Sequence, residues 1–142
     1  MIKNPDCIEK LKSKFGKIDA KHEIPLMKAG RFFIARMTPE GILVSNLDTS
    51  PMLKWSVFDC VISLGKEIGV GERIRKGNAM QGRLGDDLLP LDSIEGIVAR
   101  NVFDQPLGSS VFRKISAIGG VLSWAEIFTN GRGYMTFNGC LK

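Results

Sequence analysis

Arg132 stands between two glycines in the run IFTNGRGYMTF, from Ile127 to Phe137. Glycines let a backbone come close to a partner, and an arginine at such a tip can clasp a phosphate or enter a minor groove. Upstream, Arg113 and Lys114 are adjacent, and Ser116 and Ser123 occupy polar positions of the same segment. Arginine pairs bidentately with guanine O6 and N7, and lysine reaches the same edge or a phosphate. A third basic group lies in RIRKGNAMQGR, where Arg73, Arg75, Lys76 and Arg83 occur without an acid among them. Gly77 and Gly82 would let that stretch approach a phosphate closely, as a second clamp. Tyr134 offers a hydroxyl to the same ligand or covers its own hairpin. The competing role for each cation is a solvated surface charge.

Bond-making chemistry has no comparable set of residues. The sole histidine, His22, lies in polar sequence without the clustered cysteines of a zinc site. GVGERIRKG is glycine-rich but lacks both the G-x-x-x-x-G-K-[ST] and the full G-x-G-x-x-G spacing. Asp86, Asp87 and Asp92 sit beside the basic run and are read as its charge balance. The expectation is a protein that is not an enzyme, with no catalytic residues, no metal and no cofactor.

The totals set the frame. With 142 residues, 44% of them hydrophobic, the chain can build a core and is not a disordered tail. A net charge of +5 permits nucleic acid as a partner without requiring it. The first 31 residues hold eight basic and four acidic side chains, so this end is basic too. No apolar run is long enough for a membrane span, so no membrane partner is expected. The first fifteen residues, MIKNPDCIEKLKSKF, carry charges where a signal peptide would be apolar. Cys7, Cys60 and Cys140 are odd in number and widely spaced, which is read as three reduced thiols. Together these features predict a cytoplasmic protein.

The elements that must position the basic groups follow from periodicity. Cys7, Ile8, Leu11 and Phe15 predict a basic amphipathic helix over Asp6–Phe15. Lys17–Gly30 is read as a connector, and Arg31–Met37 with Ile42–Leu47 as a hairpin turning at Thr38-Pro39-Glu40-Gly41. Ser50-Pro51 is expected to open a long helix, with Ser50 as cap and Pro51 at its first position. Leu53, Val57, Val61, Leu64 and Ile68 give its apolar stripe. Residues 69–91 form a long basic loop. Asp92 and Glu95 resemble a capping box for a second helix, and Ser109 or Ser110 a cap for a third, reaching Ala125. Trp55, Phe58, Phe112, Trp124, Phe128 and Phe137 are read as core, with Trp124 closing the gap between the third helix and the final hairpin.

From Ser50 to Phe137 the order helix, loop, helix, turn, helix, hairpin resembles a winged helix-turn-helix. That resemblance implies an α+β fold, with a winged-helix-like domain at 50–142 and an annex of helix and hairpin at 1–49. It further implies that the third helix enters the major groove of double-stranded DNA with Arg113, Lys114, Ser116 and Ser123 outward. The free N–H groups at that helix's N-terminus would meet a phosphate, and Arg132 would sit at the wing tip. The role implied is a transcriptional regulator or a DNA-processing accessory domain. A homodimer built on the N-terminal helix or hairpin edge would suit a two-fold site. The alternative from another class is a protein–protein interaction module without catalysis, using the edges of the Arg31–Leu47 hairpin as its partner surface.

Overall fold

The repeat of Cys7, Ile8, Leu11 and Phe15 at three- and four-residue spacing places all four on the buried face of helix α1 (Pro5–Phe15). The structure is a computed structural model and describes residues 2–47 and 51–140. After α1 come strands β1 (Lys21–Pro25), β2 (Phe32–Met37), β3 (Gly41–Val44) and β4 (Met52–Lys54), paired antiparallel in that order. The expected hairpin at 38–41 is present. Thr38 Oγ1 accepts from the N–H groups of Glu40 and Gly41 and donates to the Gly41 carbonyl. Gly41 is required there, because a Cβ would collide with the Leu53 carbonyl.

Two expectations for this half are corrected. The stretch read as a connector contains β1, whose Ile24 is buried while Lys21, Glu23 and Pro25 face out. Pro51 does not begin a helix. Its carbonyl accepts from Val44 N–H at 2.9 Å, and Leu53 is buried opposite Ile42, so residues 52–54 complete the sheet. Sheet pairing of Leu53 outweighs the local cap signal. Ser50 lies outside the described residues.

Helix α2 (Trp55–Ile68) buries Val57, Phe58, Val61, Ile62 and Leu64 and ends at Gly69, whose φ of +118° suits glycine. It is fastened to the N-terminus by a buried network. The Asp59 carboxylate accepts from the Lys3 and Asn4 N–H groups and from Asn4 Nδ2, which also donates to Ser63 Oγ. Cys7 and Cys140 form a disulfide with a Cα–Cα distance of 5.3 Å. The expectation of three reduced thiols is therefore wrong, and its redox argument for the cytoplasm goes with it. Cys60 is free, and burial pushes its thiol up to about 11. Among the described residues no helix is long and apolar enough to cross a membrane.

The second half runs β5 (Arg73–Arg75), α3 (Ile94–Asn101), α4 (Ile115–Trp124), β6 (Phe128–Asn130) and β7 (Tyr134–Phe137). Its antiparallel sheet has the order β5-β7-β6, so the fold is α+β with two sheets and four helices among the described residues. The final hairpin forms as expected, and Ile74 of β5 is buried opposite Met135. The segment from Lys76 to Ser93 is built rather than loose. The Asp86 carboxylate accepts from the N–H groups of Arg83, Leu88 and Leu89, which hold it below the usual carboxylate range. Asp86 is thus a loop organiser, not only charge balance. Leu84, Leu89, Ala99 and Val111 form a small core beneath it.

The other helix starts also differ from expectation. Ser93, not Asp92, caps α3: its Oγ accepts from Gly96 N–H at 3.1 Å. The third helix begins at Ile115, five residues after Ser110. Ser109 and Ser110 give their carbonyls to Leu84 N–H and Gln105 Nε2, and Val111 packs in the small core, so residues 109–114 are held in a non-helical path. The main core is continuous across both halves, joining Leu11, Phe33, Phe58, Ile118 and Phe137 in one cluster.

Candidate nucleic-acid interface

Glu95 is the residue on which the local geometry turns. It is 1% exposed, yet its Oε2 accepts from the backbone N–H groups of Lys114 at 2.9 Å and Ile115 at 3.2 Å. Its own N–H donates to the Lys76 carbonyl at 2.9 Å, and Lys76 N–H donates to the Gly133 carbonyl at 3.0 Å. One residue thereby ties together the start of α4, through its carboxylate, and the exit of β5, through its backbone N–H, which Lys76 joins to the β6–β7 turn. Burial pushes Glu95 above its ordinary range and Lys114 below its own, each toward the neutral form. Their mutual attraction opposes both shifts and is the smaller effect. Gly77 allows the crossing, since a Cβ there would stand 2.6 Å from Ser93 Oγ.

This frame leaves a cleft of about 820 Å³ between two hairpin turns. One wall is the β1–β2 turn with Met27, Lys28 and Arg31, closed by Leu26 N–H donating to the Arg31 carbonyl. The other is the β6–β7 turn with Arg132. Lys76, Arg113 and Ser116 line the space between them. Among the described residues, five cations therefore line the cleft, and no Asp or Glu does. Among the described residues the ion pairs are Lys12–Glu9, Arg36–Asp19 and Lys66–Asp6, none of which involves those five. Lys76 Nζ meets only the Met27 sulfur, at 3.5 Å, and Arg113 Nη1 the Met80 sulfur, at 3.3 Å. Thioethers are weak acceptors, so both cations keep donors to offer. Burial, then the Arg113 charge, lowers Lys76 below the ordinary lysine range. Like charges gathered without a carboxylate are what an anion-holding site requires.

The glycines of the β6–β7 turn serve distinct needs. Gly131 lets the Tyr134 ring lie over it, for a Cβ would stand 2.7 Å from that ring. Gly133 has a φ of +76°. Arg132 between them is exposed.

Several residues expected at the interface are elsewhere. Arg113 and Lys114 precede α4 instead of lying on it, and Lys114 is buried, its Nζ donating to the Phe112 carbonyl and lying 4.7 Å from the Phe103 ring centre. Ser123 is half-buried and outside the cleft, on a helix whose Ile115, Ala117, Ile118, Gly119, Gly120, Val121 and Leu122 are all buried. Phe33 and Ile24 of the N-terminal sheet press on Gly120, where a Cβ would stand 2.7 Å from the Phe33 ring. Trp124 turns to Phe15 and His22, with ring centres 4.8 and 5.2 Å away, not to the β6–β7 hairpin. The sheet thus covers the face that would enter a groove. The N–H groups of Lys114 and Ile115, at the start of α4, are held by Glu95 instead of being free for phosphate.

The four loop cations do not form one clamp. Only Lys76 reaches the cleft. Arg73 stacks 4.2 Å from the Tyr134 ring centre, which assigns Tyr134 to sheet packing. Arg75 donates to the Asp87 carbonyl at 2.8 Å and Arg83 to the Gly108 carbonyl at 3.4 Å. Phe112, expected in the core, is 70% exposed. Lys28, Arg31 and Asn130 are cleft residues that the sequence did not single out. The turn composition of Lys28-Ala29-Gly30-Arg31 was the available signal for the first two. Compared with protein-family models, with curated proteins and with solved structures, the chain matches none.

Proposed function

We propose that this protein binds double-stranded DNA, chiefly through phosphates held at the cleft between the β1–β2 and β6–β7 turns. The carrying observation is that, among the described residues, five cations and no carboxylate line one cleft, two of the cations hydrogen-bonded only to thioethers. We further infer that residues 55–137 form a winged helix. The order α2, β5, α3, α4, β6, β7 and the sheet order β5-β7-β6 support this. The mode of binding is not helix-in-groove, because the N-terminal sheet lies over α4. Instead Lys28 and Arg31 on one turn and Arg132 on the other grip a backbone from two sides. A regulator of transcription or an accessory domain in DNA processing fits such phosphate-led binding.

Fluorescence anisotropy with a short duplex at several salt concentrations tests this. Five phosphate contacts give a slope of log K against log salt of about −4.5, and Arg132→Ala reduces its magnitude by about one. Absence of binding at low salt would refute the proposal. The protein-interaction alternative would then lead, on the exposed side chains of Leu107 and Phe112 and not on the edges of the β2–β3 hairpin, which β1 and β4 occupy.

A further inference from the structure

Phe112 adjoins the cleft and is left without cover. At 70% exposure it is the most exposed aromatic side chain among the described residues. The backbone is fastened on both sides of it. Val111 packs with Leu84, Leu89 and Ala99, and the Lys114 N–H is held by Glu95. Lys114 Nζ also donates to the Phe112 carbonyl at 3.2 Å. With its neighbours seated inward, the Phe112 ring stays outside. Arg113, the next residue, lines the cleft and donates to the Met80 sulfur at 3.3 Å. An uncovered ring therefore stands one residue from a cation of the proposed phosphate path. The cleft beside it holds five cations and, among the described residues, no carboxylate, a charge balance that matches DNA and not an apolar protein face. Residues 109–114 are not helical, and Phe33 of the N-terminal sheet presses on α4, so no helix is offered to the wide major groove. A single protruding ring beside cations suits the narrow minor groove, where proteins insert apolar side chains between base pairs and kink the duplex.

We propose that Phe112 is a wedge that enters the minor groove between two base pairs while the cleft cations hold the adjoining phosphates, so that the bound duplex is bent. This rests on the cleft being the duplex-binding site and adds how the protein chooses among sequences. All five phosphate contacts are kept, since Phe112 carries no charge and replaces none of them. Unstacking costs least at pyrimidine–purine steps, so TA and CA/TG steps are the preferred points of entry.

The test uses two short duplexes labelled with a fluorophore at each end. One has a central TA step; the other pairs an all-purine strand with an all-pyrimidine strand and so has no pyrimidine–purine step. The wild type should bend the first by about 20–90°, read as increased energy transfer between its ends. It should bind that duplex about tenfold more tightly than the second. Phe112→Ala should lose both the bend and the preference while keeping the salt slope that the five cations set. Phe112→Leu, which restores an apolar wedge, should recover both. The side chain is exposed, and thermal unfolding of each variant checks that it is intact. Equal, measurable affinity for both duplexes with neither bent overturns the wedge but leaves phosphate binding standing. A bend that survives Phe112→Ala overturns its assignment to Phe112. No binding of either duplex at low salt overturns the cleft reading and the wedge together, and leaves Phe112 as a contact for protein.

Discussion

Removal of the Glu95 carboxylate is the perturbation whose effect is best set by the geometry. In Glu95→Ala the backbone N–H groups of Lys114 and Ile115 lose acceptors at 2.9 and 3.2 Å. A hydrogen bond to a charged group contributes about 1.5–3 kcal/mol, and two such losses are partly offset because a carboxylate no longer has to be desolvated. The net expectation is a destabilisation of about 3–4 kcal/mol, or a fall in Tm of about 10 °C for a chain of this size. Glu95→Gln keeps one accepting oxygen and carries no charge, so it should cost about 1 kcal/mol or less.

The pH dependence has a definite sign. Glu95 is raised in the fold above its ordinary 4.5, so the folded state binds its proton more tightly than the unfolded chain. Its contribution is fully present below 4.5 and is lost as pH rises through the folded value. The stability of the wild type relative to Glu95→Gln should therefore fall as pH is raised from about 4.5. Urea unfolding of the three proteins across that range measures both effects. A Glu95→Ala protein within about 1 kcal/mol of wild type, or a difference that grows with pH, would show that Glu95 does not hold α4 as described.

Lys76→Met removes a half-buried cation that faces Arg113, and should raise Tm by about 1–3 °C while weakening DNA binding. Thermal unfolding beside anisotropy checks the opposed signs, and a loss of both stability and binding would contradict them. Reduction of Cys7–Cys140, which are 133 residues apart, opens a long loop and should cost about 3–5 kcal/mol, read from urea midpoints with and without reductant. Gly120→Ala places a methyl group against the Phe33 ring and should destabilise by about 1–2 kcal/mol despite alanine's better helix propensity. Unchanged stability there would mean that the N-terminal sheet is not seated on α4.

What the sequence displayed and what it hid divide along physical lines. Helix α1, the apolar stripe of α2 and the hairpin Phe128–Phe137 each bury a face through a regular local repeat, which is why they could be read. Strands β1 and β5 each bury one residue, Ile24 and Ile74, so no alternation was there to see. The start of α4 depends on a carboxylate 19 residues earlier, and local cap preferences at Ser109 and Ser110 carry no trace of it. The pairing of Cys7 with Cys140 is likewise a tertiary event. At the site, Lys76, Arg113, Ser116 and Arg132 were legible by residue type, but not their arrangement. The cover over α4 comes from Phe33, in a part of the chain that the winged-helix resemblance did not include.

Backbone amide shifts followed during titration with a short duplex test the central claim most directly. The account predicts that the largest changes fall at residues 27–31, 76–80, 113–116 and 130–133, the segments that form the cleft. Largest changes on α1 and α2, with those four segments unmoved, would contradict it.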